Sequence, residues 1–424
     1  MMLVALIVDA PRGETQDRVV RVAPPSSPDE TAYHDLRAAV AAVREGGVIE
    51  LEAGVYHLTP TTYWDETCGN CEAESTRVRA TVGLRVSGKN IRIVGPRDRM
   101  TEGADSTRKT AAVIRTFAGY GILFEDCQDC VLLGVTVTEG RRDTSANATD
   151  AAIVVKRSRV TIEQCRLEGN LGDSTTVART VVGIMGIAGR EGANLTATRN
   201  HIVRNSWDGI ALYRGATAVI ENNVIDGVDL ACGGRMGGGR GVGIGVTWNA
   251  TATIRGNLVK RYWKGIGAFL DAQVTVEDNV IEQVATWGLT LWDAGKGRPS
   301  GTFLRNVVYR TGACGASVIR ESADPPAPGR FVGNVLVETG QDPRYDSGEP
   351  YCFQTPIALH AVPAAFEIAD NVQFANRMAG GQPAQGDVAD TEFRGKLEAI
   401  RSAHTAWPVL AQSDFWTVYA SPKP

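Results

Sequence analysis

Lys156, Arg190 and Tyr213 are the residues whose types and spacing most invite a chemical reading. Removing a proton from the carbon beside a carboxylate, and then expelling an oxygen leaving group, needs three things: a cation over the carboxylate, a base for the proton, and a donor for the departing oxygen. Lys156 or Arg190 supplies base or charge clamp, and Tyr213 the donor. The three occupy equivalent places in successive lines of the sequence, Lys156 to within one residue because its line bulges. A coiled chain would bring them within about 10 Å, two rungs of a parallel sheet. Asp208 stands at the neighbouring corner. Paired with Asp173 or Asp229 it offers a different chemistry, the two carboxylates of a hydrolysis. The same Asp173, Asp208 and Asp229 carry oxygen donors of the kind Ca²⁺ takes, although no clustered Asp motif fixes such a site.

Residues suited to holding a substrate surround this set. Trp207, Trp263 and Lys264 lie in the short returns "SWDG" and "YWKG", and Phe269 and Trp292 continue the line of Arg190 and Tyr213 through Thr247. An exposed row of Tyr, Phe and Trp suits the apolar faces of sugar rings, or else is a stacking ladder that stabilises a sheet. Two insertions, "LGDSTTVARTVV" (171–182) and "GVDLACGGRMGGGRG" (227–241), leave the same turn of alternate lines and would wall a groove with Asp173, Arg179, Asp229, Arg235 and Arg240. The alternative is drift on a tolerant surface, with the tryptophans covering core.

The elements that position these residues follow from a repeat. Four lines run from Gly186, Gly209, Gly243 and Gly265 to Asn200, Asn223, Asn257 and Asn279, each an interval of 14 residues. Looser copies end at Asn306, Asn334 and Asn371, and Cys165 stands in the Asn register one line earlier. The shortest spacings between Asn anchors, 22 and 23 residues, hold three short strands and three turns but no helix. Period-two alternation sends one set of side chains inward, and stacking at roughly 4.8 Å lines up equivalent residues as ladders. In "DGIALYRGATAVIENNVI" (208–225), Ile210, Leu212, Val219 and Ile225 read as core and Asn223 as a ladder step, Asn being tolerant of left-handed bends.

This pattern resembles the right-handed parallel β-helix repeat family, the pectin-lyase-like superfold. The lead-in "TAYHDLRAAVAAVREGGVIELEAGVYHLT" resembles the capping helix and first strand of that family. The expected fold is all-β, a single right-handed solenoid: an N-terminal segment (1–30, with a possible signal remnant in "MMLVALIVDAP"), a cap helix and first strands (31–82), coils (83–375) and a C-terminal cap (376–424) whose "DTEFRGKLEAIRSAHTAW" closes the far end. A β-propeller is disfavoured because its repeat is about twice as long. The resemblance implies a secreted, periplasmic or surface protein acting on an acidic polysaccharide as lyase or C5-epimerase, with Ca²⁺ used by many such lyases. A glycoside hydrolase and a non-catalytic glycan binder are the alternatives. The "NTD", "DD" and "HG" series of polygalacturonases and the "DPHE" of alginate epimerases are absent.

Composition bounds the partners. A formal net charge of -4 and a pI near 5.9 argue against nucleic acid or an anionic membrane, and no segment approaches the length of a membrane span. A monomer is expected. The "GGRMGGGRG" run lacks the ending of a phosphate-binding loop and reads as a lid. Of the eight cysteines, Cys127, Cys130 and Cys165 read as core or turn residues, and Cys68 and Cys71 as bridged in an exposed loop; zinc across the two C-x-x-C pairs is disfavoured by their separation.

Overall fold

A computed structural model describes residues 18–96, 111–180, 182–227, 241–319, 329–346, 354–360, 362, 366–404 and 408–419. Within them the chain forms a parallel β-helix of three long sheets: sheet A with twelve strands, from Val19–Val22 to Glu367–Ala369; sheet B with eleven, from Gly54–His57 to Val372–Phe374; and sheet C with eleven, from Thr61–Asp65 to Thr355–His360. Each coil gives one strand to each sheet, and nearly every pairing is parallel to the same strand of the next coil. The exception within the coil is Thr61–Asp65, which runs antiparallel to Val78–Ser87.

Alternation builds the interior. In sheet C, Ile153, Ile187, Ile210, Ile244 and Ile266 stack in register on one inward row, all fully buried. Leu212 fits in the next inward row because its neighbour is Gly189, where a Cβ would lie 2.9 Å from the Leu212 Cδ2. Ile210, Leu212 and Ile225 are core as read, but Val219 is 41% exposed. Its register with Thr196 and Thr253 puts it outside, while Ala218 and Ile220 turn in.

The asparagine ladder is continuous. Cys165 N donates to Asn200 Oδ1, and the relay passes through Asn223, Asn257, Asn279, Asn306 and Asn334 to Asn371, with backbone N and side-chain Nδ2 of each Asn donating to the next Oδ1 at 2.9–3.0 Å. The left-handed bend falls one residue earlier than expected. Asn222 takes φ 57°, as do Arg199, Asp278, Arg305 and Asp370 at nearly the same value, so the ladder Asn itself is freed to point inward. A shorter ladder, Asn170 to Asn205, holds the bend between sheets B and C.

Helix α1 (Leu36–Ala42), N-capped by Asp35, buries Leu36 and Ala39 against the first coil. At the other end the helices do more than close the coil. Helix α3 (Asp390–His404) and helix α4 (Asp414–Tyr419) bring Phe393, Leu397, Phe415 and Trp416 onto an apolar outer stripe of sheet B that runs from Val224 to Val372. Buried Glu282 fixes the start of α4 there by accepting from Ser413 Oγ at 2.9 Å and from Asp414 N and Phe415 N at 3.1 Å. Apolar residues on an outward row need a cover, and helices supply it.

Candidate functional site

The outer face of sheet C carries three rows. One row runs Glu125, Lys156, Arg190, with Tyr213 and Thr247 next by their backbone bonds to Gly189 and Leu212, and continues through the pair Phe269 and Trp292 to Ile319 and His360. Lys156 therefore lies in register with Arg190, the position assigned from the spacing. The middle row is a floor of small residues, Ala188, Ala211, Gly245 and Gly267. The third row holds Tyr120, Ala151 and Met185, then Asp208, Val242, Lys264 and Trp287. Sequence reasoning found Asp208 and Lys264 but missed Tyr120 and Trp287, although each of the four immediately precedes the Gly of its line, the signal that would have found them.

The first half of this face is not open. Strand Thr61–Asp65 and the loop after it cross it as a strap, so Lys156, Arg190 and Tyr213 are buried where exposure was expected. A methyl at Gly69 would meet Arg190 Cδ at 2.7 Å and Tyr213 Cδ2 at 3.4 Å. Cys68 and Cys71 are disulfide-bonded as read, but Cys68, itself part of the strap, is buried against Val78 and Ala148 rather than exposed, whereas Cys127, Cys130 and Cys165 are buried free thiols.

At the centre of this closed region is Asp65, which no sequence pattern marks. Its Oδ1 accepts from Lys156 Nζ and, at 3.2 Å, from Thr67 N and Oγ1; its Oδ2 accepts from Arg190 Nη2 and, at 3.0 Å, from Tyr120 Oη. Burial alone would raise the pKa of this carboxyl, but Arg190 and Lys156 together hold it below the usual carboxylate range. Arg190 also reaches Glu191 at 2.7 Å, and Lys156 lies 3.6 Å from Glu125. Glu125 is further held by Tyr63 Oη at 2.7 Å and by Arg85 and Arg157 at the rim. Burial pushes the Tyr120 and Tyr213 phenols up. The arrangement grips one carboxylate between two cations and a phenol.

Asp208, 6% exposed, accepts from Val242 N at 2.6 Å, and burial, partly offset by Lys264, pushes its carboxyl up to about 7. Gly241 is required beside it, since it has φ 77° and a Cβ there would lie 2.2 Å from Asp208 Oδ1. A raised folded pKa means that the folded chain binds more protons than the unfolded one between roughly pH 4 and 7, so this group's contribution to stability falls as pH rises through that window. Asp208→Asn, which keeps the acceptor for Val242 N, is expected to remove that fall, making the pH dependence of the unfolding free energy shallower by up to about 1.4 kcal/mol per pH unit. Denaturant titrations at pH 5, 6, 7 and 8 read it, and parallel curves for parent and variant would contradict it.

Lys264 lies over the rings of Trp287 at 4.5 Å and of Phe269 and Trp292 at 5.5 Å. Phe269 folds across the floor, its Cζ 2.5 Å from where a Gly267 Cβ would stand. Phe269 and Trp292 are half-buried, Trp207 packs beside Tyr213, and Trp263 is 43% exposed. Asp173 does not join Asp208 in any contact: it is exposed and accepts from Thr176 N at 2.8 Å at the start of helix α2 (Ser174–Thr180), whose last turn carries the exposed Arg179. Asp229, Arg235 and Arg240 lie outside the described residues. Among the described residues no group of three or more His, Cys, Asp or Glu is placed to hold a metal ion, and no helix is long and apolar enough to cross a membrane.

The family model described as "Right handed beta helix region" matches residues 102–259 and 185–342, together more than half of the chain. No curated protein matches the sequence significantly. Solved structures that resemble it include pectate lyase Pel9A (13% identity, 85% of this chain and 80% of that one, TM-score 0.43). The A-module of the mannuronan C-5 epimerase AlgE4 from Azotobacter vinelandii is similar at 14% identity over 83% and 93% of the two chains, with a TM-score of 0.43. The Dettilon tailspike protein is similar at 17% identity over 87% and 68%, with a TM-score of 0.45. Likeness at this level concerns fold alone and carries no argument about activity.

Proposed function

The chain belongs to the right-handed β-helix family, and on that scaffold we propose a carbohydrate-active protein, a lyase or C5-epimerase of a uronate-containing polysaccharide, working on the outer face of sheet C. One observation supports it above the others: Lys156, Arg190 and Tyr120 converge on a carboxylate. Neutralising the carboxylate of a uronate lowers the barrier to removing its C5 proton, and fixed cations in a dry site do this far better than water. With both cations so engaged, proton transfer falls to Asp208, whose carboxyl titrates near neutrality, and to Tyr213. Loss of O4 after proton removal gives the lyase outcome, and return of a proton to the opposite face the epimerase outcome. Trp207, Trp263, Lys264, Phe269 and Trp292 are the residues proposed to line the sugar path. The Cys68–Cys71 disulfide fits an oxidising, extracytoplasmic compartment.

The test is incubation with alginate, pectate and glycosaminoglycans. Ultraviolet absorbance of unsaturated chain ends reports elimination, and incorporation of solvent deuterium at C5 reports epimerisation. Either signal is expected to fall at least about 100-fold in Asp208→Asn if that carboxyl moves the proton. Reducing sugar released from neutral glycans instead would favour a hydrolase. A second reading, glycan binding without turnover, is favoured by the ion pairing that satisfies Lys156 and Arg190 within the chain, and it predicts binding with neither product.

A further inference from the structure

The strap that closes the first half of sheet C is attached in two unlike ways. Its root is strong: Thr61–Asp65 pairs antiparallel with Val78–Ser87, and Asp65 is fully buried among its cations. Its tip is held by surface contacts. Trp248 Nε1 donates to Asn70 Oδ1 at 3.1 Å, Arg214 donates to Cys71 O, and Lys296 meets Glu72 at 3.0 Å with both side chains more than half exposed. Exposed pairs of this kind contribute about 0–1 kcal/mol each. The tip is therefore the easily released part, and Asp65 the latch.

The latch has a chemical peculiarity. Of the five donors around its carboxylate, three belong to the body of the coil, Lys156 Nζ, Arg190 Nη2 and Tyr120 Oη, and only the two from Thr67 belong to the strap itself. A carboxylate arriving from outside would find the same three donors. We propose that the body donors form a carboxylate-binding site whose resident occupant is Asp65, so that the strap is an intramolecular competitor which an acidic polysaccharide must displace. This rests on the reading of the substrate as a uronate polymer.

A single free carboxylate cannot compete with a tethered one, because the tether gives Asp65 a high effective concentration. A polyuronate can, since it presents many carboxylates and takes further contacts along the face. Binding and strap opening are then linked, and each must promote the other by the same factor. The device keeps two buried cations paired when no substrate is present, avoiding the cost of leaving them bare.

Hydrogen–deuterium exchange on the intact chain tests this, with oligogalacturonate and oligomannuronate hexamers as probes and maltohexaose as the neutral control. The acidic hexamers are expected to raise deuterium uptake across residues 66–77, beyond the paired root strand, and to speed proteolysis between Glu72 and Ser75, which are exposed; maltohexaose is expected to do neither. Asp65→Asn, which keeps the shape but removes the competing charge and turns one of the two acceptors into a donor facing a cation, is expected to tighten hexamer binding by about tenfold. Hexamer binding that leaves exchange in the strap unchanged or slower, equal effects from maltohexaose, or no binding at all would overturn the proposal. The two readings fail separately. Turnover of polyuronate without strap opening rejects the competitor and keeps the enzyme, whereas strap opening without turnover keeps the competitor and rejects the lyase or epimerase.

Discussion

Asn257→Ala is expected to lower the unfolding free energy by about 3–5 kcal/mol, more than any exposed substitution in the same coil. Asn257 Oδ1 accepts from both the backbone N and the Nδ2 of Asn223, and its own Nδ2 donates to Ile220 O and to Asn279 Oδ1, each at 2.9–3.0 Å. Truncation leaves the Asn223 N–H without its acceptor and Ile220 O without this donor, in a place no water reaches. Each such buried group costs about 1–3 kcal/mol. Asn223 Nδ2 keeps a second partner in Ala197 O at 2.9 Å, so the loss is bounded. Asn371, at the half-buried end of the ladder, gives the comparison: it accepts from Asn334 and donates to Phe331 O, but it passes nothing onward to a further Asn. Asn371→Ala is expected to cost about half as much. Chemical denaturation of the two variants against the parent measures this, and equal costs, or a cost under about 1 kcal/mol for Asn257→Ala, would mean that the ladder adds little to what the sheets already supply.

The ladder was legible because it is local and periodic. A 14-residue interval from Gly to Asn, constant while the return to the next Gly varies, fixes which residues return to one line, and Lys156, Arg190, Phe269 and Trp292 fall on that line as the spacing predicts. The bend at Asn222 was misplaced by one residue because Asn suits either position, the left-handed one for its side chain's local bonding and the ladder one for its amide. Val219 was misread for a related reason: the alternation gives two faces but, in a short strand between bends, not which face is inside. Asp65 was invisible for a deeper reason. Alternation reports that Lys156 and Arg190 leave the core, and it cannot report that a segment about 90 and 125 residues earlier in sequence folds back over them. That strap has no repeat of its own, and its partners are scattered through residues 78–296. The sheet's outward rows were therefore identified correctly as positions and wrongly as exposed surface. The same limit explains the helices at the C-terminal end: "DTEFRGKLEAIRSAHTAW" was expected to close the far end, but that this helix and Asp414–Tyr419 lie along sheet B follows from the apolar outer stripe between Val224 and Val372, which periodicity shares out between strands and does not flag.

Arg190→Met is expected to cost about 3–5 kcal/mol at neutral pH, and the pH dependence of that cost separates an electrostatic latch from simple packing. Arg190 is wholly buried and donates to Asp65, Glu191, Tyr120 and Thr67. Methionine fills much of the volume and restores none of these bonds, so two buried carboxylates lose their main counterion. In the parent, Asp65 has a folded pKa below its unfolded value; that stability is present above the unfolded pKa near 4 and is lost as pH falls through the lower folded value. In the variant, burial is no longer outweighed by Arg190, so the Asp65 carboxyl is expected to move upward and the variant to lose stability as pH rises. Glu191, already raised by burial even with Arg190 beside it, moves the same way. The difference between parent and variant should therefore be largest near pH 7 and shrink toward pH 4, where the variant's carboxyls take up protons and no longer need a partner. Urea titrations at both values decide it. A cost that does not change with pH would assign Arg190 to packing alone, and with it would go the argument that this site is built to hold a negative charge.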